Sequence, residues 1–412
     1  MTRAMHVLVV NQYFHPDRSA TAHLLTELCE DLAKYHRVTV VCGRPSYDPV
    51  DHTPARGFVG RERLGDVAIR RTWSTSFSRT GMPGRLTNYG TYLAGSIAAL
   101  LSAAKPDVIL TMTDPPIVAA AAAAAGAAWR VPFVYVNQDV FPEFGVILGR
   151  LSNPAGVQGL AALNRWLRDR AARVVAIGRD MERRLLELGC PPDKLVVIPN
   201  WASAEAIRPL TRPSALRERE EWDGRFVVMY SGNVGLSQDL ETLVEAAALL
   251  RDEPSIVFAI VGEGASKRRL REQAAALGLL NVRFLPYQDR DDLSDSLGAA
   301  DLHVVGLKRG LAGFVVPSKL YGILAAGRPF IAAVEPGAEP ATVAEDHDCG
   351  VRVEPGDPRA LADAIASLRD RDLSMMGANA RRALETRFER RVATAAHRRV
   401  LEEVVFEHHP LR

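Results

Sequence analysis

The sequence predicts an α/β protein made of two doubly wound parallel-sheet domains. Short apolar runs without polar alternation recur between helix-length segments, the pattern of parallel strands covered on both faces. The pattern stops at residues 200–223, an irregular stretch holding Pro209 and Pro213, and then restarts. A chain of 412 residues is long enough for each array to bury its own core.

The first strand is expected at residues 6–10, and the apolar part of this start is too short for a signal peptide. A helix over 21–35 leads to a strand at 38–42. Residues 46–85 are rich in Pro, Gly and Arg and read as a long loop region around a strand at 67–72. A helix over 86–103, a strand at 107–111 and an Ala-rich helix over 116–129 follow. That Ala-rich run falls well short of the roughly 20 residues that span a bilayer, so it reads as a tightly packed helix. Strands at 133–136, 173–176 and 195–198 and helices over 157–173 and 179–188 complete the first array.

Residues 200–223 read as a hinge. Beyond it, a strand at 226–230 precedes a helix over 239–251 whose apolar face is Leu240, Leu243 and Ala247. Strands at 257–261, 282–285, 302–305 and 330–333 alternate with helices over 267–277, 291–299 and 318–326. Residues 361–407 read as helical, the last helix packing back toward the first domain. The expected division is 1–203, 204–388 and a terminal helix at 389–412, the two sheet domains opposing one another.

Composition excludes more than it assigns. Hydrophobic residues make up 47% and charged residues 24%, ordinary for a soluble globular protein, and a net charge of +2 gives no reason to expect nucleic acid. Cys29, Cys42, Cys190 and Cys349 are far apart in the chain, so neither a metal site nor a disulfide framework is expected, and buried thiols in a reducing cytoplasm fit better.

Candidate chemistry gathers in the second array. Val316-Pro317-Ser318-Lys319-Leu320 turns from loop to helix, and Gly327 ends that helix before a new strand. With Pro317 at the first helical position, Ser318, Lys319 and Leu320 lie in the first turn beside unpaired N–H groups, a place suited to phosphate. Three further turns follow strands: Ser231-Gly232-Asn233, Gly262-Glu263-Gly264 and Pro286-Tyr287-Gln288. The glycines allow close backbone approach, and Tyr287 can lie beside a base. Ligands of open α/β sheets bind outside the carboxyl ends of the strands, so these turns are expected to converge on a nucleoside diphosphate. Lys308 and Arg309 can add charge or simply be solvated.

In the first array, Gln138-Asp139 follows a strand and Pro142-Glu143 opens a helix. Gln138 cannot act as a base, so any acid/base work falls to Asp139 or Glu143, while Asp139 is equally suited to cap the helix. Asn11, Asp17 and Thr21 follow the first strand, where Asp17 can also serve as an N-cap. His15 and His23 read as polar surface residues. Asp346-His347-Asp348 has an Asp-x-Asp spacing but lies beyond the nucleotide turns in an expected loop, so no metal site is assigned.

Seven segments together carry a resemblance. They are Asn11-Gln12-Tyr13-Phe14-x-Pro16-Asp17, Val41-Cys42-Gly43-Arg44-Pro45-Ser46-Tyr47, Gln138-Asp139-x-x-Pro142-Glu143, Ile198-Pro199-Asn200-Trp201, Tyr230-Ser231-Gly232-Asn233-Val234-Gly235, Val261-Gly262-Glu263-Gly264 and Val316-Pro317-Ser318-Lys319-x-Tyr321. The chain resembles the large retaining family of GT-B glycosyltransferases, nearest the branch similar to L-fucosamine transferases of O-antigen and colanic-acid assembly. The resemblance implies two Rossmann-like domains facing across a cleft, with the acceptor in the first and a nucleoside-diphosphate sugar, UDP or GDP, in the second. It implies transfer with retention, no cofactor and no metal. Lys319 is the expected diphosphate ligand and catalytic cation, Ser231, Gly232, Asn233, Gly262, Gly264, Tyr287, Pro317, Ser318 and Leu320 the donor contacts, and Asn11, Asp17, Thr21 and Gln138 the acceptor contacts.

The departures bear on the donor. Where relatives place Arg and Lys for the diphosphate, this chain has Asn233 and Gln238; where they place two glutamates at the phosphate helix, it has Phe314 and Gly322. Ala312 replaces a glutamate frequent in the nearer branch, and Glu339 is a substitute only if it is not a solvated helix-start residue. Two acceptors fit: a lipid-linked saccharide at the inner membrane face, with Arg165, Arg168 and Arg170 on a helix resting on lipid, or a soluble small molecule. From other classes, a nucleotide-sugar epimerase lacks a convincing carboxylate set, and a silent nucleotide-sugar-binding protein would follow from the lost charges.

Overall fold

The computed structural model describes residues 4–17, 19–45, 57–75, 77, 82–113 and 116–408. The chain divides into two compact units, Met1–Pro199 with Ala393–Arg412, and Asn200–Val392.

The first unit holds β1 (His6–Val10), α1 (Ala20–Ala33), β2 (Arg37–Cys42), β3 (Val59–Leu64), β4 (Val67–Thr72), α2 (Met82–Leu101), β5 (Val108–Met112), α3 (Pro116–Trp129), β6 (Phe133–Asn137), α4 (Glu143–Ile147), α5 (Pro154–Arg170), β7 (Arg173–Ala176), α6 (Arg179–Glu187) and β8 (Leu195–Val197). Its sheet has the order β3-β4-β2-β1-β5-β6-β7-β8. Every pairing is parallel except β3 with β4. β1, β5 and β6 are buried at every position, as strands covered on both faces must be.

The antiparallel β3 corrects the reading of 46–85 as loop around one strand. Its Val-Gly-Arg-Glu-Arg-Leu sequence is half exposed, which suits an edge strand that must not pair further. Residues 46–56, 76 and 78–81 of that stretch lie outside the described residues, including Ser46 and Tyr47 of the quoted segment.

The second unit holds α7 (Ala215–Arg219), β9 (Phe226–Ser231), α8 (Leu240–Leu249), β10 (Ile256–Val261), α9 (Lys267–Ala276), β11 (Val282–Leu285), α10 (Leu293–Gly298), β12 (Leu302–Gly306), α11 (Lys319–Ala325), β13 (Phe330–Ala333), α12 (Glu339–Asp346), β14 (Gly350–Val353), α13 (Pro358–Arg369) and α14 (Ser374–Ala383); α15 (Arg390–His408) closes the described chain. The sheet is wholly parallel, in the order β11-β10-β9-β12-β13-β14. Alternate residues of one strand serve two cores. Val228 and Tyr230 join the cluster with α8 and α13, whereas Val227 and Met229 pack with Leu216 and Trp222.

Residues 200–223, expected as a hinge, lie in the second unit and are tied to it. The Asp295 carboxylate accepts from the N–H groups of Ala215 at 2.8 Å and Leu216 at 2.9 Å, and Ser214 caps α7. The last helix, from Ala393 onward, belongs to the first unit. There Glu402 meets His36 at 3.2 Å and Arg398 lies 4.2 Å from the Tyr35 ring centroid.

Candidate active site

In the second sheet β9 lies beside β12, and the winding reverses between them. That is the switch point where doubly wound sheets open a crevice at their carboxyl ends. Gly232, just past β9, has φ +139°, and Gly262, just past β10, has φ +136°. Gly262 and Gly264 have no room for a side chain. A Cβ on Gly262 would lie 1.9 Å from the Gly232 carbonyl oxygen, and one on Gly264 would lie 2.4 Å from that of Val234. The two turns therefore stack backbone on backbone. Gly232 N donates to Val261 O at 2.9 Å and Val234 N to Glu263 O at 2.8 Å.

The third turn joins them. Tyr287 Cε1 would be 3.4 Å from a Cβ at Gly262, its hydroxyl donates to Glu263 O at 3.3 Å, and the residue keeps 45% of its surface exposed. Buried Lys267 clamps the pair of turns by donating to Glu263 Oε1 at 2.6 Å and Leu285 O at 2.8 Å. An open aromatic face beside a glycine turn is a suitable platform for a planar base.

Lys319 is the first residue of α11. Its Nζ donates to Gln238 Oε1 at 2.7 Å and sits 4.8 Å from the Tyr230 ring centroid, while its Cε would be 3.1 Å from a Cβ at Gly232. The residue is half-buried, and desolvation of the ammonium pushes its pKa down to about 7. Burial likewise raises the Tyr230 hydroxyl, with Tyr287 adding to the effect. Tyr230 Oη donates to Asn233 O at 2.5 Å, so one strand-end tyrosine both braces the turn and supports the lysine.

Several expectations need correction. Ser318, not Pro317, precedes the first residue of α11, so Pro317 stands outside the helix and Lys319 begins it. Ser318 makes no side-chain cap bond, and α11 has only 7 residues, so the helix itself adds little positive charge beyond that of the lysine. Glu339 is 2% exposed rather than solvated. Arg309 is held by Glu354 Oε2 at 3.3 Å and Pro355 O at 3.1 Å. A Cβ on Gly322 would lie 3.4 Å from Leu297 Cδ1, so a side chain there starts against apolar groups. Asp346 ends α12, so the Asp-x-Asp segment is a helix terminus and not a free loop. Among the described residues no three His, Cys, Asp or Glu side chains gather to hold a metal ion.

Sequence reasoning missed the two partners of Lys319. Gln238 was noted only for what it replaces, and Tyr230 only as part of a turn. The pairing joins residues 81 apart in the chain, so no local pattern reports it.

In the first unit β1 lies beside β5 and forms the equivalent switch point. Asn11, just past β1, is 1% exposed; its Nδ2 donates to Tyr13 O at 2.8 Å, and its Oδ1 has no partner. Past β5, Thr113 Oγ1 accepts from the N–H groups of Gln138 at 3.0 Å and Asp139 at 3.2 Å, fixing the loop after β6. Gln138 is 8% exposed and Asp17 6%. Neither aspartate caps a helix as expected: Ser19 caps α1, and Pro142 precedes α4 without a side-chain bond. Thr21 lies half-buried in the first turn of α1. Glu143 begins α4 and turns toward α5, where it lines a cavity with Arg168.

The profile of the Glycosyl transferase 4-like domain matches residues 20–201, and that of Glycosyl transferases group 1 matches residues 213–383. The chain is 32% identical over 295 residues to the probable glycosyltransferase WbjE of Pseudomonas aeruginosa, covering 71% of this chain and 74% of that protein. It is 30% identical over 376 residues to the putative colanic acid biosynthesis glycosyl transferase WcaI of Escherichia coli, covering 88% and 91%. Among solved structures, Anabaena HepE in complex with UDP and glucose superposes with a TM-score of 0.73 at 18% identity, over 97% of this chain and 100% of that one. The two parallel-sheet units thus have the GT-B fold.

Proposed function

The chain belongs to the glycosyltransferases whose members carry the 4-like and group 1 domains, and from that premise we propose a nucleoside-diphosphate sugar as its donor and a saccharide as its acceptor. The observation that carries the donor reading is Lys319, an ammonium held at the crevice between β9 and β12 by a neutral amide and an aromatic face. A cation paired with no carboxylate there is available to a diphosphate. The glycine turns of β9 and β10 let backbone N–H groups come near the same ligand, and Tyr287 offers a face to the base. UDP is the first choice of nucleotide because HepE holds it on the same fold.

The reaction we infer proceeds with retention. The bond from the anomeric carbon to the leaving phosphate oxygen breaks, the acceptor hydroxyl attacks from the same face, and the departing oxygen takes its proton. Lys319 stabilises the charge on that oxygen, so no divalent ion is required. Asn11, Gln138 and Asp139, at the strand ends of the first unit, would hold the acceptor. The name of WcaI supports an acceptor used in polysaccharide assembly, and Glu339, buried at the start of α12, is the replacement we propose for the missing sugar-contacting glutamates. Among the described residues no helix is long and apolar enough to cross a membrane, so a lipid-linked acceptor would be met at the membrane surface.

Calorimetric titration with UDP, GDP, ADP and dTDP, with and without a chelator, tests the donor reading. Binding of UDP that is indifferent to chelator and lost in Lys319→Ala is expected. Binding that vanishes with chelator, or that survives the substitution unchanged, would sink the metal-free lysine role. Sedimentation with anionic vesicles tests the membrane-surface acceptor, and a protein that stays in the supernatant would favour the soluble one.

A further inference from the structure

Two buried polar atoms of the first unit lack partners where the chain leaves room for one. Arg168, on α5, is 4% exposed; its Nη2 reaches Leu188 O only at 3.4 Å, and its Nε donates to nothing. Tyr135, which faces the same interior, gives its hydroxyl to Asn164 and offers Arg168 no carboxylate. Glu143 Oε2 is also buried and accepts nothing. A guanidinium and a carboxylate oxygen withdrawn from water are costly unless something satisfies them. Both side chains line one pocket of about 500 Å³ that is open on the side of exposed Arg165, Asp169, Glu187 and Gly189.

The cavity lies against α5 and the C-terminal end of α6, with Phe141 on the segment that enters α4. α6 starts beside the carboxyl end of β7, and the cavity meets it roughly 13 Å further along its nine residues. Most of its lining comes from the helix layer, and neither Asn11 nor Gln138 lines it.

Its walls select a chemical class. Arg165 and Arg168 share the lining with Glu143, Asp169 and Glu187, the last of which also pairs with Arg184 at 2.5 Å. A simple anion would meet three carboxylates there, and a simple cation two guanidinium groups. A hydroxyl group accepts from one kind and donates to the other. Several hydroxyls on a ring whose C–H face can lie on Phe141 satisfy the whole lining. We propose that this cavity is a second saccharide-binding site, taking a neutral mono- or disaccharide, distinct from the place where transfer occurs. Such a site would hold a growing or finished glycan beside the enzyme and so raise its local concentration.

Saturation-transfer NMR on the full chain, with maltose and N-acetylglucosamine as probes, tests this. Ala161 also lines the cavity, so Ala161→Trp fills it without touching a charge. Transfer to the ring protons of at least one probe is expected in the parent chain and should disappear in Ala161→Trp, with an unchanged circular-dichroism melt showing that the variant is folded. Arg168→Met should weaken the same probe roughly tenfold. The proposal is overturned by equal transfer in the parent and Ala161→Trp, by no transfer to either sugar, or by ³¹P broadening of inorganic phosphate that Ala161→Trp removes while the sugars stay silent.

Discussion

At the scale of residues the proposed donor site turns on Lys319. Gln238 holds Lys319 Nζ at 2.7 Å without neutralising it. Replacing Lys319 by Ala is expected to lower transfer by roughly 10²–10³, the usual cost of removing a preorganised charge from a developing anion, with the thermal melt unchanged. Gln238→Glu should act in the other direction from a gain of charge. The new carboxylate would pair with the ammonium and compete with the diphosphate, so UDP affinity should fall roughly tenfold. The pH dependence separates the two roles. In the free protein Lys319 titrates at about 7, below its ordinary range, because it is desolvated. A bound diphosphate favours the charged form. UDP should therefore bind best below pH 7, weaken as pH rises above it, and take up a proton near pH 7.5, read from calorimetry in two buffers of different ionisation enthalpy. In Gln238→Glu the same step should move to higher pH. Flat binding from pH 6 to 9 would remove Lys319 from the ligand.

At the scale of elements, the stacked turns after β9 and β10 test why glycine is there. Gly262→Ala would press a methyl group to 1.9 Å from the Gly232 carbonyl at φ +136°, so the two turns must part. A loss of about 3 kcal/mol or more in urea unfolding is expected. Gly278→Ala, at φ +66° with open space around it, should cost only about 1 kcal/mol. Equal losses would mean that backbone strain, and not the packing of turn on turn, sets the requirement. Elements that such local chemistry defines were legible in the sequence. The runs of β1, β9 and β10 announce buried parallel strands, and the Pro317–Lys319 start of α11 and Gly327 at its end mark the helix bounds to within two residues. What escaped was decided elsewhere. β3 is charged because it is an edge, and β14 is only four residues long. Glu339 escaped for the same reason, since its burial depends on neighbours that no local pattern names. The contact of Lys319 with Gln238 was hidden by a separation of 81 positions, and that with Tyr230 by a still longer one.

At the scale of the whole molecule, each unit carries, among its described residues, a histidine no more than 2% exposed and held neutral, and both units should lose stability on the acid side. In the second unit His303 is 0% exposed; its Nε2 meets Leu297 O at 2.9 Å and its Nδ1 has no partner, so the ring has nowhere to put a second proton. In the first unit His397, on α15, is 2% exposed. Burial lowers both to about 4. An unfolded histidine titrates near 6.5, so between pH 6.5 and 4 the unfolded chain binds the extra proton and the folded chain does not. Stability from each group is full above about pH 6.5 and drains as pH falls toward 4. From pH 7 to 5 each histidine should remove about 2 kcal/mol from the unit that contains it. His397→Phe should lessen the acid loss of the first unit, to which buried His6 and His36 also contribute, and leave that of the second, and His303→Phe should do the reverse, provided each is compared with its own stability at pH 7. Urea unfolding followed by amide hydrogen exchange, which reports the units separately, is the measurement. If both substitutions flatten the same transition, the units do not unfold independently. If neither does, the acid sensitivity lies in other groups, such as carboxylates or His6 and His36, and not in His303 or His397.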